Sequence, residues 1–165
     1  ITMIVVMIMV GFAFGGQPLY GYLYGAKLKQ RMKDCLKYAY QLIVGISLTL
    51  SIVLSIAAPF MISIFMNDAV MIETGAPILR AVLLGMPFIG FVMVTTCVFQ
   101  SCGKPTQALI LSAGRQGVFY AILIFVLHAL FGYTGVIYAQ AASDIFTAIV
   151  AYLLLKNTLL KELNA

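Results

Sequence analysis

Long apolar runs alternate with short polar stretches along the whole 165-residue chain. Each run is long enough to cross a bilayer, which takes about 20 apolar residues of helix. A helix also satisfies its own backbone hydrogen bonds in lipid. The pattern therefore predicts an all-α, polytopic transmembrane bundle of five helices, near residues 1–24, 37–66, 76–100, 106–130 and 134–158.

Proline and glycine within these runs predict irregular helices. Pro18 in the first run lacks an N–H and clashes with the preceding turn, so a kink is expected there. Pro59 is expected to bend the second run near its far end. The third run contains Gly85 and Pro87 and is expected to be irregular as well.

The composition leaves too few charged residues to cover a water-facing surface. Mean hydropathy is +1.08 and only 9% of the residues are charged, whereas a soluble domain has about 25%. The chain is therefore an integral membrane protein. Three cysteines form neither a CxxC pair nor a zinc-binding spacing, so we expect no disulfide and no metal site. They are Cys35, Cys97 and Cys102.

Positive charge is concentrated in some of the polar segments. The short polar break at 67–75 contains Asp68 and Glu73 but no Lys or Arg. Basic residues mark the cytoplasmic side of a membrane protein, so this break is predicted to be exterior and the C-terminus cytoplasmic. The net charge of +5 reflects orientation and predicts no nucleic-acid partner. Eight of the ten basic residues lie in the predicted inner segments: Lys27, Lys29, Arg31, Lys33, Lys37, Lys104, Lys156 and Lys161.

The start of the chain is already apolar and has no basic segment typical of a signal peptide. Five spans with an inner C-terminus place the N-terminus outside. We therefore expect the sequence to be a piece of a longer protein, with at least one span upstream.

Polar, aromatic and methionine side chains at helical spacing predict a cavity face. Polar groups within a span usually face protein or a cavity. Methionine adapts its shape to varied ligands, and aromatic faces attract cations. The alternative, helix-to-helix packing with interfacial tyrosines, remains open. The predicted cavity residues are Gln17, Tyr20, Tyr24, Met86, Met93 and Gln100.

Arg115 and Asp144 are the basic and the acidic residue placed well inside the predicted spans. Counted from the turn at 131–134, they differ in depth by roughly 10 Å at 1.5 Å per residue. We therefore expect no direct salt bridge, but separate polar partners within the bundle. Desolvation disfavours the charged form of a buried carboxyl, which makes Asp144 a candidate for a proton or Na⁺ role. A structural hydrogen bond to a neighbouring helix is the alternative.

Three stretches resemble the multidrug and toxic compound extrusion (MATE) family of transporters. The first is GGQPLYGYLYGAKLKQRMKDCLKYAY at 15–40, similar to the end of the second helix of the C-terminal lobe and its basic connection. The second is FQSCGKPTQALILSAGRQGVF at 99–119, and the third is GYTGVIYAQAASDIFTAIVAYLL at 132–154. They keep the family's order and spacing and cover most of the chain.

The resemblance implies a fold and a function. The family has twelve helices in two lobes around a central cavity, so residues 1–165 would form a partial C-terminal lobe. The N-terminal lobe and one helix would be missing upstream. Family members export drugs, many of them cationic, in exchange for H⁺ or Na⁺, without another cofactor. The expected partners are small organic substrates, membrane lipid and the missing lobe, in a bacterial inner membrane.

One branch of the family carries a cation-site carboxylate in the fourth helix of the C-terminal lobe. The corresponding run here, 76–100, has none. The resemblance is therefore closer to the branch whose coupling relies mainly on the N-terminal lobe.

Two other functions remain as alternatives. A flippase for lipid-linked saccharides, from the same superfamily, would need basic residues in its cavity, and only Arg80 and Arg115 are candidates. A non-transporting membrane scaffold is disfavoured by Arg115 and Asp144, because charges within a span are costly. An enzyme is not expected, since the sequence has no nucleophile–base pair and no Gly-rich nucleotide loop.

Overall fold

The computed structural model describes residues 2–64 and 69–164, and these residues form five long apolar helices, here α1 to α5. Helix α1 comprises Thr2–Gly15 and Gln17–Gly25, and α2 comprises Lys29–Ile56 and Ala58–Ser63. Helix α3 comprises Ala69–Leu84 and Met86–Ser101. Helix α4 comprises Pro105–Ala113, a π-helical segment Gly114–Val118 and Phe119–Phe131. Helix α5 comprises Tyr133–Leu154, a second π-helical segment Leu155–Leu160 and Lys161–Asn164.

The predicted irregularities in the first three helices are confirmed. Each helix is interrupted by one residue, and a proline follows two positions later. Proline is tolerated in the first turn of a helix, where its missing N–H has no partner to lose. A new helical segment therefore starts at each break. The breaks and their prolines are Gly16 with Pro18, Ala57 with Pro59, and Gly85 with Pro87.

Proline also leaves the carbonyl four residues earlier without its usual helical donor. For Pro87 that carbonyl belongs to Leu83, and the Ser51 hydroxyl of α2 donates to it at 2.6 Å. The bond is buried, where an unsatisfied carbonyl would be costly. A side chain of α2 thus compensates for a proline in α3.

The reverse arrangement occurs at the other proline of this helix pair. Pro59 leaves the carbonyl of Ser55 without a helical donor, and Arg80 Nε of α3 donates to it at 3.0 Å. Arg80 is therefore engaged with the backbone of α2. Together the two bonds join α2 and α3 at their prolines.

Helix α3 is the most buried of the five helices. Its second half supplies the large core residue Phe99, and Thr95 hydrogen-bonds with Tyr40 of α2 at 3.0 Å. The Tyr40 ring also packs against Phe91, with the ring centroids 4.8 Å apart. The other helices pack around α3, which forms the centre of the bundle.

Three predicted boundaries were wrong. The basic stretch 26–37 is not a connection, because α2 already begins at Lys29, and Lys, Arg, Gln and Met are good helix formers. Helix α5 continues past 158 to Asn164. Of the predicted break at 67–75, residues 67 and 68 lie outside the described residues, while Glu73 belongs to α3.

The basic segments meet at one end of the bundle, here called the basic end. Glu162 of α5 accepts a hydrogen bond from the Tyr24 hydroxyl at 3.1 Å and forms an ion pair with Lys104. These contacts link the end of α1, the α3–α4 turn and the end of α5. The three segments that were predicted to lie on the inner side therefore meet at the same end of the bundle.

Candidate functional site

Arg115 and Asp144 form an ion pair inside the bundle. Arg115 Nη1 lies 3.8 Å from Asp144 Oδ1, and the carboxylate is wholly buried while the arginine side chain is 12% exposed. The expectation that the two residues have separate polar partners was wrong. The pair joins α4 to α5.

Two features of α4 bring the charges together, the local helix geometry and the length of the arginine side chain. The depth argument treated both helices as straight and regular, but Arg115 lies in the π-helical segment Gly114–Val118. A π-helical turn bonds each N–H to the carbonyl five residues earlier, so it is wider than an α-helical turn. The Ser143 hydroxyl donates to the Arg115 carbonyl at 3.0 Å, which places these two residues at the same depth.

The second oxygen of Asp144 lies in a tight space between α5 and α3. Gln140 Nε2 is 3.5 Å from Oδ2. A Cβ at Gly85 would lie 2.7 Å from Oδ2 and 3.4 Å from the Cα of Ala141. The break in α3 therefore occurs where only a glycine leaves room for the carboxylate. Oδ1 has no hydrogen-bond partner among the described residues, so its stabilisation comes from the charge of Arg115.

Two cavities border Arg115 and its neighbour Gln116. The larger, about 570 Å³, lies between α1, α3, α4 and α5 and includes Met86 and Gln140 in its lining. The smaller, about 180 Å³, is lined on its α3 side by residues that include Met93. Arg115 thus lies between the buried Asp144 carboxylate and the two cavities. Its side chain borders both cavities.

The predicted cavity residues fall into two groups in the structure. Met93 and Gln100 line the smaller cavity and Met86 the larger one. Tyr24 lines a different cavity, at the basic end. That these residues bind substrate stays a prediction.

The other two predicted residues belong to the break in α1. Tyr20 is 3% exposed, and its ring lies so close to Gly16 that a Cβ there would meet its hydroxyl at 2.5 Å. Gln17 is half-buried at the start of the second α1 segment.

Gln116 was not among the predicted cavity residues, although it lines both cavities. Its position gave a usable signal, since a polar amide within a span usually faces protein or a cavity. It lies beside Arg115 in a predicted helix.

Comparison with protein families gives a match to the MatE model over residues 1–134. Two similar relatives are called multidrug export protein MepA. The one from Staphylococcus saprophyticus is 27% identical over 148 residues. The one from Staphylococcus aureus strain NCTC 8325 is 29% identical over 153 residues. Each match covers 90% of this chain and 32% of the relative, so the chain spans about a third of the length of these proteins.

Solved structures give the same result. The MATE multidrug transporter DinF-BH has a TM-score of 0.86 and 31% identity over 94% of this chain and 35% of its own. A MATE crystal structure in complex with MaL6 has a TM-score of 0.89 at 21% identity, which shows the shared fold. It covers 99% of this chain and 37% of its own. With the family model matched over most of its length, this chain belongs to the MATE family of transporters.

Proposed function

We propose that this chain is part of the C-terminal lobe of a secondary-active antiporter that exports organic compounds, often cationic, in exchange for H⁺ or Na⁺. We place it in a bacterial inner membrane with its basic end in the cytoplasm. The observation that carries the proposal is the Arg115–Asp144 pair beside two cavities within apolar helices. Charged residues are costly within a membrane and usually serve a transport pathway. The multidrug export relatives support the same conclusion.

The cavity lining supports an organic substrate. The larger cavity, about 570 Å³, falls in the size range of small-molecule sites, roughly 300–1,000 Å³. Met86 and Met93 line the two cavities, and the flexible thioether side chain suits ligands of varied shape. Polar groups of the linings include the Gln100 and Gln116 amides, which can hydrogen-bond to a ligand, and Arg115, whose charge is offset by Asp144.

The flippase alternative has less support. A lipid-linked pyrophosphate would need unpaired cations in the cavity. Arg80 donates to the carbonyl of Ser55 on α2, and the charge of Arg115 is offset by Asp144. Arg80 is not among the residues that line either cavity, so neither of the two arginines considered for that role offers an uncompensated positive charge there.

The direct test is dye efflux from a drug-sensitive bacterium that expresses the full-length protein. We expect cells with the transporter to export ethidium faster than cells with an empty vector, and we expect ionophores that collapse the H⁺ or Na⁺ gradient to stop this export. Export that continues without either gradient would exclude secondary-active antiport. Equal ethidium levels in both strains, with the protein present in the membrane, would argue against drug export.

The cavity assignment is tested by a matched pair of methionine substitutions. Met93→Ala removes a side chain that lines the smaller cavity, whereas Met7→Ala removes one that is 69% exposed on the surface of α1. We expect Met93→Ala to lower ethidium resistance and Met7→Ala to leave it unchanged at equal expression. Equal resistance of both variants would show that Met93 does not contact substrate.

Asp144→Asn separates a coupling role from a structural one. Because the carboxylate is wholly buried and paired with Arg115, we expect it to hold α4 against α5 and gradient-driven efflux to persist in the variant. Asp34→Asn, which changes an exposed carboxylate on α2, is the control for loss of negative charge. If Asp144→Asn alone abolishes efflux at normal expression, Asp144 carries the coupling ion.

A further inference from the structure

We propose that the cavity at the basic end binds the phosphate headgroup of an anionic phospholipid. The cavity has a volume of about 370 Å³ and lies where the ends of α1, α2 and α5 meet. Its position at the ends of three membrane helices corresponds to the depth of lipid headgroups. It is separate from the two cavities that border Arg115. Its lining consists of Leu23, Tyr24, Lys27, Lys29, Glu162 and Leu163.

The charge balance of this cavity favours an anion. Lys27 and Lys29 are both exposed, and within the described part of the chain neither side chain has an ion pair. The one acid in the lining, Glu162, is already engaged by Lys104 and by the Tyr24 hydroxyl. Lys104 offsets the charge of Glu162 from outside the lining, so two positive charges remain for a ligand.

The backbone at Lys27 supports a specific role for this lysine. Helix α1 ends with hydrogen bonds from Lys27 N to Tyr24 O at 3.1 Å and from Leu28 N to Leu23 O at 3.1 Å. This is the Schellman arrangement, whose residue after the cap adopts a left-handed conformation and is usually glycine. Lys27 occupies that position with φ of 56°.

A second turn at the basic end shows the usual solution. Helix α3 ends with bonds from Gly103 N to Gln100 O at 3.3 Å and from Lys104 N to Phe99 O at 2.9 Å, and Gly103 has φ of 68°. A residue with a side chain is strained in this conformation, whereas glycine is not. The left-handed backbone is therefore less favourable at Lys27 than at Gly103. The lysine at this position places an ammonium group at the cavity.

The apolar part of the site favours a lipid over free phosphate. Leu23 and Leu163 are buried in the lining. Leu19 lies one helical turn before Leu23 on α1 and is 49% exposed, which gives an acyl chain an apolar surface beside the bound headgroup. Basic pockets between membrane helices are typical sites for anionic headgroups. Free phosphate would use the lysines alone.

The test is a titration of the purified full-length protein in detergent with dihexanoyl phosphatidylglycerol, with bound lipid counted by native mass spectrometry. Each lysine near an anionic lipid contributes about fivefold in affinity, so we expect Lys27→Gln with Lys29→Gln to weaken binding by roughly 30-fold. The control, Lys37→Gln with Lys156→Gln, removes the same charge from exposed sites outside the cavity and should leave the affinity unchanged.

Two further measurements distinguish lipid binding from loss of stability and from binding of free phosphate. Lys27→Gly removes the charge but suits the left-handed backbone, so it should weaken lipid binding without lowering stability. Dihexanoyl phosphatidylcholine and inorganic phosphate should both bind poorly. The proposal would be overturned by equal affinity in the cavity and control variants. It would also be overturned if inorganic phosphate bound as tightly as the lipid through the same lysines.

Discussion

The Arg115–Asp144 ion pair permits a quantitative test, because each partner can be removed alone and together. We consider Arg115→Met, which keeps a long apolar side chain, and Asp144→Asn, which keeps the shape of the carboxylate. Arg115→Met leaves a wholly buried carboxylate whose Oδ1 has no hydrogen-bond partner in the described part of the chain. Removing one partner of a buried pair costs about 3–5 kcal/mol.

The size of the interaction follows from the distance. Unit charges 3.8 Å apart attract by roughly 4 kcal/mol at an effective dielectric constant of about 20. Asp144→Asn should cost less than Arg115→Met, about 1–3 kcal/mol, because Arg115 is partly exposed and borders two cavities. The double variant should cost little more than Asp144→Asn alone. The coupling free energy between the two sites is then about 2–4 kcal/mol.

The assay is reversible unfolding of the purified full-length protein in mixed micelles titrated with a denaturing detergent. The free energy of unfolding is measured for the wild type, both single variants and the double variant. A coupling free energy below about 0.5 kcal/mol, the level expected for independent sites, would refute the argument that the pair stabilises the α4–α5 contact. Matched circular dichroism spectra of the four proteins would exclude a difference in helix content.

Two further predictions concern packing and thiol reactivity. Gly85→Ala should lower the free energy of unfolding by about 1–3 kcal/mol, because the new Cβ would lie 2.7 Å from Asp144 Oδ2. Gly45→Ala is the control, because a Cβ there meets open space, and it should raise the free energy of unfolding by up to about 1 kcal/mol. The same unfolding assay compares the two variants. Burial raises the pKa of the Cys102 thiol to about 11, so at pH 8 only about a thousandth of it is the reactive thiolate. Iodoacetamide should therefore label the half-buried Cys35 first, and the labelling of Cys102 should rise with pH towards 11; equal rates at pH 8, measured by mass spectrometry of the native protein, would contradict this.

The number and type of elements could be read from the sequence because lipid imposes a simple rule. An apolar run must become a helix within a bilayer, so the positions of the five helices followed from hydropathy. Proline also acts through local covalent structure. The breaks near Pro18, Pro59 and Pro87 were therefore predictable, although each begins two residues earlier than its proline.

The ends of the helices were less predictable, since polarity marks the membrane boundary and not the end of a helix. Lys29 to Lys37 is polar yet helical, because its residues have high helix propensity. The first two turns of α2 thus extend beyond its apolar part. The last turns of α5 likewise continue beyond its apolar part, up to Asn164.

The ion pair was missed because depth was counted along straight, regular α-helices with no account of side-chain length. The residues of Gly114–Val118 carry no compositional mark that distinguishes a π turn from an α turn. The π-helical turn accounts for only part of the estimated offset of roughly 10 Å, and the long arginine side chain covers the rest. Gln116, which lines both cavities in the structure, was left out of the predicted set although its polarity within a span could have indicated it.

The break at Gly85 shows how one short sequence sets two helix contacts. The glycine leaves room on one side for the Asp144 carboxylate of α5, which a Cβ would displace. Two residues later, Pro87 removes the N–H that would bond the carbonyl of Leu83, and Ser51 of α2 donates to that carbonyl instead. Glycine alone would give the close approach to α5, and proline alone would give the bond to α2. Because both lie within three residues of the central helix, the position of α5 and that of α2 are fixed at the same level of the bundle, where the paired charges border the cavities.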